Sequence, residues 1–264
     1  MKSGEQTQEK MRLCSIVTAG GLPYSQKAAL CEQIGDEVLS RSSTMDSPNF
    51  HAISAVDLRR MAELYDEAFF QSNLLALARK HGLSFRWSSR MTSAGGKTIR
   101  TTSRDATNGK VRVQYEIALS STLLFQTFSD LQRPIRVTGI TCANRLQAMQ
   151  RILEHELIHL TEMLIWDDSC CAERRFQEIA LRMFSHTEHH HKLITQHERA
   201  AKKFNVRVGS LVAFDFEGRP YIGNVNRITR RATVLVCDAT GQLYRDGKRY
   251  RKYYVPISQL RLVA

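Results

Sequence analysis

NRLQAMQRILEHELIHLTEMLIW, residues Asn144 to Trp166, places apolar side chains at Leu146, Met149, Ile152, Leu153, Leu157, Leu160 and Met163 with no glycine or proline among them. That three-and-four spacing predicts one long helix with a broad buried face. Within it, His155-Glu156-Leu157-Ile158-His159 has the pattern H-E-x-x-H. Residues four apart share a helix face, so the two imidazoles can grip one metal ion together. Glu156 projects beside that face, within reach of a metal-bound water. Two neutral nitrogen donors and a carboxylate base are what zinc-assisted hydrolysis of an amide requires. The pattern assigns His155 and His159 as ligands of Zn2+ and Glu156 as the catalytic base.

The surrounding sequence reads as mixed α+β. Val56 through Leu77 carries a helical apolar stripe, and Leu83 to Trp87 alternates as a strand does. Ala94-Gly95-Gly96-Lys97 is a turn into a second strand near Lys97 to Thr102, and Asn108-Gly109 marks a tight turn before the alternating Val111 to Ser120. A helix, a small antiparallel sheet and the motif helix make one α+β unit. Placed at the sheet edge, Val111 to Ser120 would pair with the backbone of an extended substrate. Beyond the motif, Glu173 to Phe184 is a second amphipathic helix with Phe176, Ile179, Ala180 and Met183 inward. Seven of the nine histidines fall between positions 155 and 197, so imidazole is concentrated around the motif.

The six cysteines are scattered with no C-x-x-C pair, which suits reduced thiols in an intracellular protein and argues against a zinc ribbon. The opening MKSGEQTQEK lacks an apolar signal region, and no apolar run is long enough to span a bilayer. The expectation is a cytoplasmic protein, or one of the nucleoid or nucleus, with no membrane partner. Residues 1–50 read as a partly disordered segment, 51–200 as the domain that carries the motif, and 205–264 as a small all-β barrel of five short strands. The formal charge of +12 favours polyanions. Residues 205–264 hold eleven Lys and Arg against four acids, so more than half of that surplus lies in under a quarter of the chain.

Several of these stretches together resemble the SprT-like family of zinc metallopeptidases. They are Leu64-Tyr65-Asp66-Glu67-Ala68-Phe69-Phe70, Phe85-Arg86-Trp87-Ser88-Ser89-Arg90-Met91, Ala94-Gly95-Gly96-Lys97-Thr98, Tyr115-Glu116-Ile117-Ala118-Leu119-Ser120 and the H-E-L-I-H helix. The resemblance covers roughly 52 to 195. It implies a zincin-like α+β fold, one zinc ion and hydrolysis of protein substrates, often ones associated with DNA. The family usually supplies a third histidine at the opening of the next helix. With Phe176 as the anchor, that slot falls on Ala172, which has no donor atom. Cys171 is the nearest substitute, and His186 is the other candidate if the chain folds back over the site. The C-terminal segment is similar to an SH3-like module. There Tyr244, Tyr250, Tyr253 and Tyr254 interleave with Arg249, Arg251 and Lys252, a pattern suited to stacked bases beside phosphates in DNA or RNA. The competing expectation is a SprT-like scaffold with weak catalysis that acts as a nucleic-acid-binding adaptor.

Overall fold

In the computed structural model, which describes residues 2–19, 21–104, 109–129 and 131–263, the N-terminal stretch expected to be partly disordered carries two helices. These are α1 (Lys2–Ala19) and α2 (Tyr24–Arg41). Both touch the motif helix, and Leu13, Val17, Ile34 and Val38 are buried. Their apolar stripes are thin, and most helical stability in proteins comes from the face that packs. The stripe from Val56 to Leu77 divides into α3 (Ala55–Phe70) and α4 (Leu74–Arg79). Ser54 and Asp57 cap α3 reciprocally, a capping box. Gln71 and Ser72 then turn the chain through left-handed conformations, and the buried Asp66 carboxylate accepts from the amides of Leu74 and Leu75 at the start of α4.

Strands β1 (Leu83–Ser88), β2 (Gly96–Arg104) and β3 (Val111–Ser120) form a sheet in the order β1-β3-β2. The sheet is mixed rather than antiparallel: β2 runs against β3, whereas β1 runs parallel to it. Val111 to Ser120 is therefore the central strand and not an edge. Tyr115, Ile117, Ala118 and Leu119 are all buried, as expected of a strand covered on both faces. Of the Asn108-Gly109 turn, Gly109 has positive φ and Asn108 lies outside the described residues.

Helix α5 (Ser121–Gln126) follows, then a hairpin of β4 (Ile135–Val137) and β5 (Ile140–Cys142). Thr138 and Gly139 at its tip both take positive φ, as a two-residue primed turn requires. Helix α6 (Arg145–Trp166) opens on Asn144, whose side chain accepts from the Gln147 amide, while Gln147 accepts from the Ala143 amide. It packs against β2 and β3 as well as against α1 to α5, so it is buried well beyond one stripe. Helix α7 (Arg174–Phe184) comes next. After it the chain is strapped to the hairpin: Thr138 donates to His190, Thr187 to Thr138, and Lys192 to Arg136 through backbone groups.

The chain divides into two units, Met1–Phe128 with Arg133–Leu193 and Ser129–Gln132 with Ile194–Ala264. The boundary falls earlier than the expected 200–205, because α8 (Gln196–Phe204) belongs to the second unit. Its Ala200 and Phe204 pack into the core of the C-terminal strands. Those strands are β6 (Leu211–Phe216), β7 (Arg219–Ile228), β8 (Ala232–Leu243), β9 (Arg249–Val255) and β10 (Arg261–Leu262). They form one antiparallel sheet in the order β10-β6-β7-β8-β9 around Val212, Phe214, Val225, Val234, Tyr253 and Val255. Among the described residues, no helix is long and apolar enough to cross a membrane.

Candidate metal centre

His155 and His159 meet on one face of α6 with their Nε2 atoms 3.1 Å apart and their rings edge to face. Two nitrogens bound to one tetrahedral zinc stand roughly 3.3 Å apart, so the pair needs almost no movement to share an ion. Cys171 joins them: the donor atoms of His155, His159 and Cys171 all lie within 4.8 Å of one another. Between α6 and α7 the chain makes a turn in which the Glu173 amide donates to the Cys170 carbonyl. That turn presents Cys171, whereas the neighbouring Ala172 is exposed. Phe176, at the start of α7, packs against both imidazoles with centroids 4.8 and 4.6 Å away.

Burial suits both histidines to ligation. It pushes the His155 imidazole down to about 2, helped by the nearby His159, His186, His189 and His191, and pushes His159 down to about 4. Both rings are neutral at ordinary pH, the form that binds metal. A set of two imidazoles and one thiolate within reach of one point fits zinc.

Glu156 is buried beside them, and its Oε2 accepts from the Thr98 hydroxyl on β2 at 2.8 Å. Burial raises its carboxyl to about 7, and the hydrogen bonds from Thr98 restrain the rise. Gly96 makes room for it, since a β-carbon there would stand 2.6 Å from Glu156 Oε1. A cleft of about 220 Å³ opens over this point, lined by Gly95, Gly96, Ile152, His155, Glu156 and the run His189 to His191. His155 and Glu156 thus share one open volume, and the donor atoms of His159 and Cys171, which do not line it, lie within 4.8 Å of that of His155.

His186 is elsewhere. Its Nε2 lies 2.8 Å from Glu154 Oε2 in a buried cluster with Tyr65, Arg151 and Cys31. Glu154 occupies the face of α6 away from the histidine pair, so the chain after α7 brings His189 to His191 to the cleft and turns His186 into the core.

Compared with family models, curated proteins and solved structures, the chain gives no match.

Four polar residues at the centre escaped the sequence reading. Thr98 holds Glu156. Ser169 lies 2.7 Å from His159 Nδ1, Glu162 accepts from Ser169, and Arg175 donates to Glu162. Only Glu162 carried a signal, standing three residues after His159 and hence on the same side of the helix. The other three are single polar residues whose partners depend on how separate segments meet.

In the C-terminal unit, Arg249, Arg251 and Lys252 do not form one face. Successive residues of a strand alternate sides, and the three cations divide accordingly. Arg251 pairs with Asp238 at 3.1 Å, and Arg249 donates to the Gly241 carbonyl. Lys252 projects with Tyr250 and Tyr254, its amine 5.6 Å from the Tyr244 ring centre. Tyr253 points into the core with Phe214 and Tyr221, while Tyr254 is 61% exposed.

Proposed function

We propose that this chain is a zinc-dependent metallopeptidase of the SprT-like type, with a zincin-like catalytic unit followed by an SH3-like module. One observation carries the reading: the donors of His155, His159 and Cys171 lie within 4.8 Å of one another, and His155 shares a cleft with the buried carboxyl of Glu156. Zinc, when bound there, would lower the pKa of a water and polarise the scissile carbonyl. His155, His159 and Cys171 are the residues that would hold it. Glu156 takes the proton from the attacking water and passes it to the leaving amine. Its carboxyl sits near neutrality, where a general base is most effective. A bound cation favours its ionised form.

Substrate binding belongs to β2. Among the described residues it has no strand on its outer side, and its first residue, Gly96, lines the cleft together with the turn that leads into it. An extended peptide added to this edge would lie along the motif helix with its backbone paired. The substrates are proteins, and the basic C-terminal unit would hold the enzyme near DNA or RNA.

The experiment is metal analysis with a cleavage assay on the full chain. Protein purified without chelator should hold about one zinc per chain. Glu156→Gln should keep the metal and lose cleavage, and His159→Ala should lose both. Wild type without stoichiometric metal would overturn the reading. A chain that binds metal and nucleic acid but cleaves nothing would be the adaptor.

A further inference from the structure

We propose that Ser169, Glu162 and Arg175 form a positioning chain that sets two of the three metal donors at once, an inference that rests on the zinc reading above. The chain runs from Arg175 Nε to Glu162 Oε1 at 2.6 Å, from Ser169 Oγ to Glu162 Oε2 at 2.7 Å, and on to His159 Nδ1 at 2.7 Å.

The direction of every proton in it follows from the buried end. Glu162 is fully buried, and its two oxygens accept from Arg175 and from Ser169. The Ser169 hydroxyl must then give its hydrogen to Glu162, which leaves its oxygen free to accept. His159 therefore carries its proton on Nδ1 and donates to Ser169. Its Nε2 is left as a lone pair, 3.1 Å from His155 Nε2. Arg175 is itself held, with its guanidinium 4.5 Å from the centre of the Trp166 ring.

The second donor follows from the covalent chain. Ser169 stands two residues before Cys171 in the turn between α6 and α7. By tying Ser169 to α6, the same hydroxyl that selects the His159 tautomer holds the turn that presents the thiol. The pair of histidines is unequal in this respect. His155 Nδ1 is buried and, among the described residues, has no hydrogen-bond partner, so no such chain orients that ring from its far side. Partners of this kind are typically worth about 10–100-fold in metal affinity.

The test compares the full chain with Ser169→Ala, Ser169→Thr and Glu162→Gln. Zinc affinity is measured by competition with a chromophoric chelator, and Co2+ is used as a probe whose thiolate-to-metal charge-transfer band reports Cys171. Ser169→Ala should bind zinc about 10–100-fold more weakly and lose part of the charge-transfer band. Ser169→Thr, which keeps the hydroxyl, should recover both, and Glu162→Gln should fall between. Far-ultraviolet circular dichroism checks the fold, and the volume-conserving Glu162→Gln serves if Ser169→Ala is unstable. Zinc affinity of Ser169→Ala within about twofold of wild type, with an unchanged band, overturns the positioning chain and leaves the zinc reading standing. A wild type that takes up neither zinc nor cobalt overturns both.

Discussion

The hydroxyl of Thr98 reaches two oxygens of Glu156 at once, the backbone carbonyl at 2.9 Å and Oε2 at 2.8 Å. One side chain thus fixes β2 to α6 and orients the base. Its hydrogen bond favours the carboxylate, against the desolvation that raises the group to about 7. Thr98→Val keeps the shape and removes the hydrogen bond, so the Glu156 pKa should rise further. Because the base works only when ionised, the acid limb of the cleavage–pH profile should move to higher pH, with zinc content unchanged. The profile measured on both proteins checks this, and a shift to lower pH would contradict it.

Cys171 and His186 should separate cleanly in metal analysis. Cys171→Ala should lose stoichiometric zinc while keeping its fold, since Cys171 is half-exposed on a turn. His186→Ala should keep zinc and lose stability instead. It removes a partner from the buried Glu154 cluster, and leaving a buried charged group under-satisfied costs about 1–3 kcal/mol. Urea denaturation beside zinc determination distinguishes the two. Loss of zinc in His186→Ala would return that residue to the ligand set.

The cations of the C-terminal unit should contribute unequally to nucleic-acid binding. Removing one cation that neutralises a phosphate should flatten the salt dependence by about one unit of slope. Lys252→Ala should do so, because Lys252 projects beside the exposed Tyr254. Arg251→Ala should do less, since Asp238 already neutralises Arg251. If this unit tethers the peptidase to its substrates, cleavage of DNA-bound basic proteins should outpace cleavage of the same proteins free. Binding to DNA across a salt series, with cleavage assayed with and without DNA, measures both effects. Equal slopes for wild type and Lys252→Ala would place the phosphate site elsewhere.

Much of the first unit was legible because its signals are local. The α6 periodicity, the spacing of His155 and His159, and the alternation of the strands each lie within a few residues of one another. Counting back from Phe176, which packs on both imidazoles, lands on Ala172 under the family resemblance, and Cys171 was in view only as its nearest substitute, beside His186. Strand order was not legible: β3 looks like β1 in sequence, and only burial on both faces marks it as central. Of the N-terminal helices, α1 left no signal and α2 only a short helical stretch from Ala28 to Leu39, because their stripes gain meaning from α6, more than a hundred residues away. Thr98 and Ser169 were invisible for the same reason, each acting across a junction between elements. In β9 the alternation that predicts a strand also divides Arg249 and Arg251 from Lys252, so a cluster in sequence became two faces in space.

An unpaired strand beside a cleft is an invitation to any extended chain, including another copy of the same protein. The outer strand β2, GKTIRTTSR, carries Lys97, Arg104 and an Arg100 already paired with Asp167, among threonines, a serine and Ile99, and most of it is exposed. Two such edges meeting would bring like charges together while burying little apolar surface, which is how natural sheets discourage edge-to-edge pairing. A peptide segment that is neutral or acidic where it faces these cations meets no such repulsion, whatever the net charge of the protein that carries it. The edge can therefore stay open for visitors while being closed to its own kind.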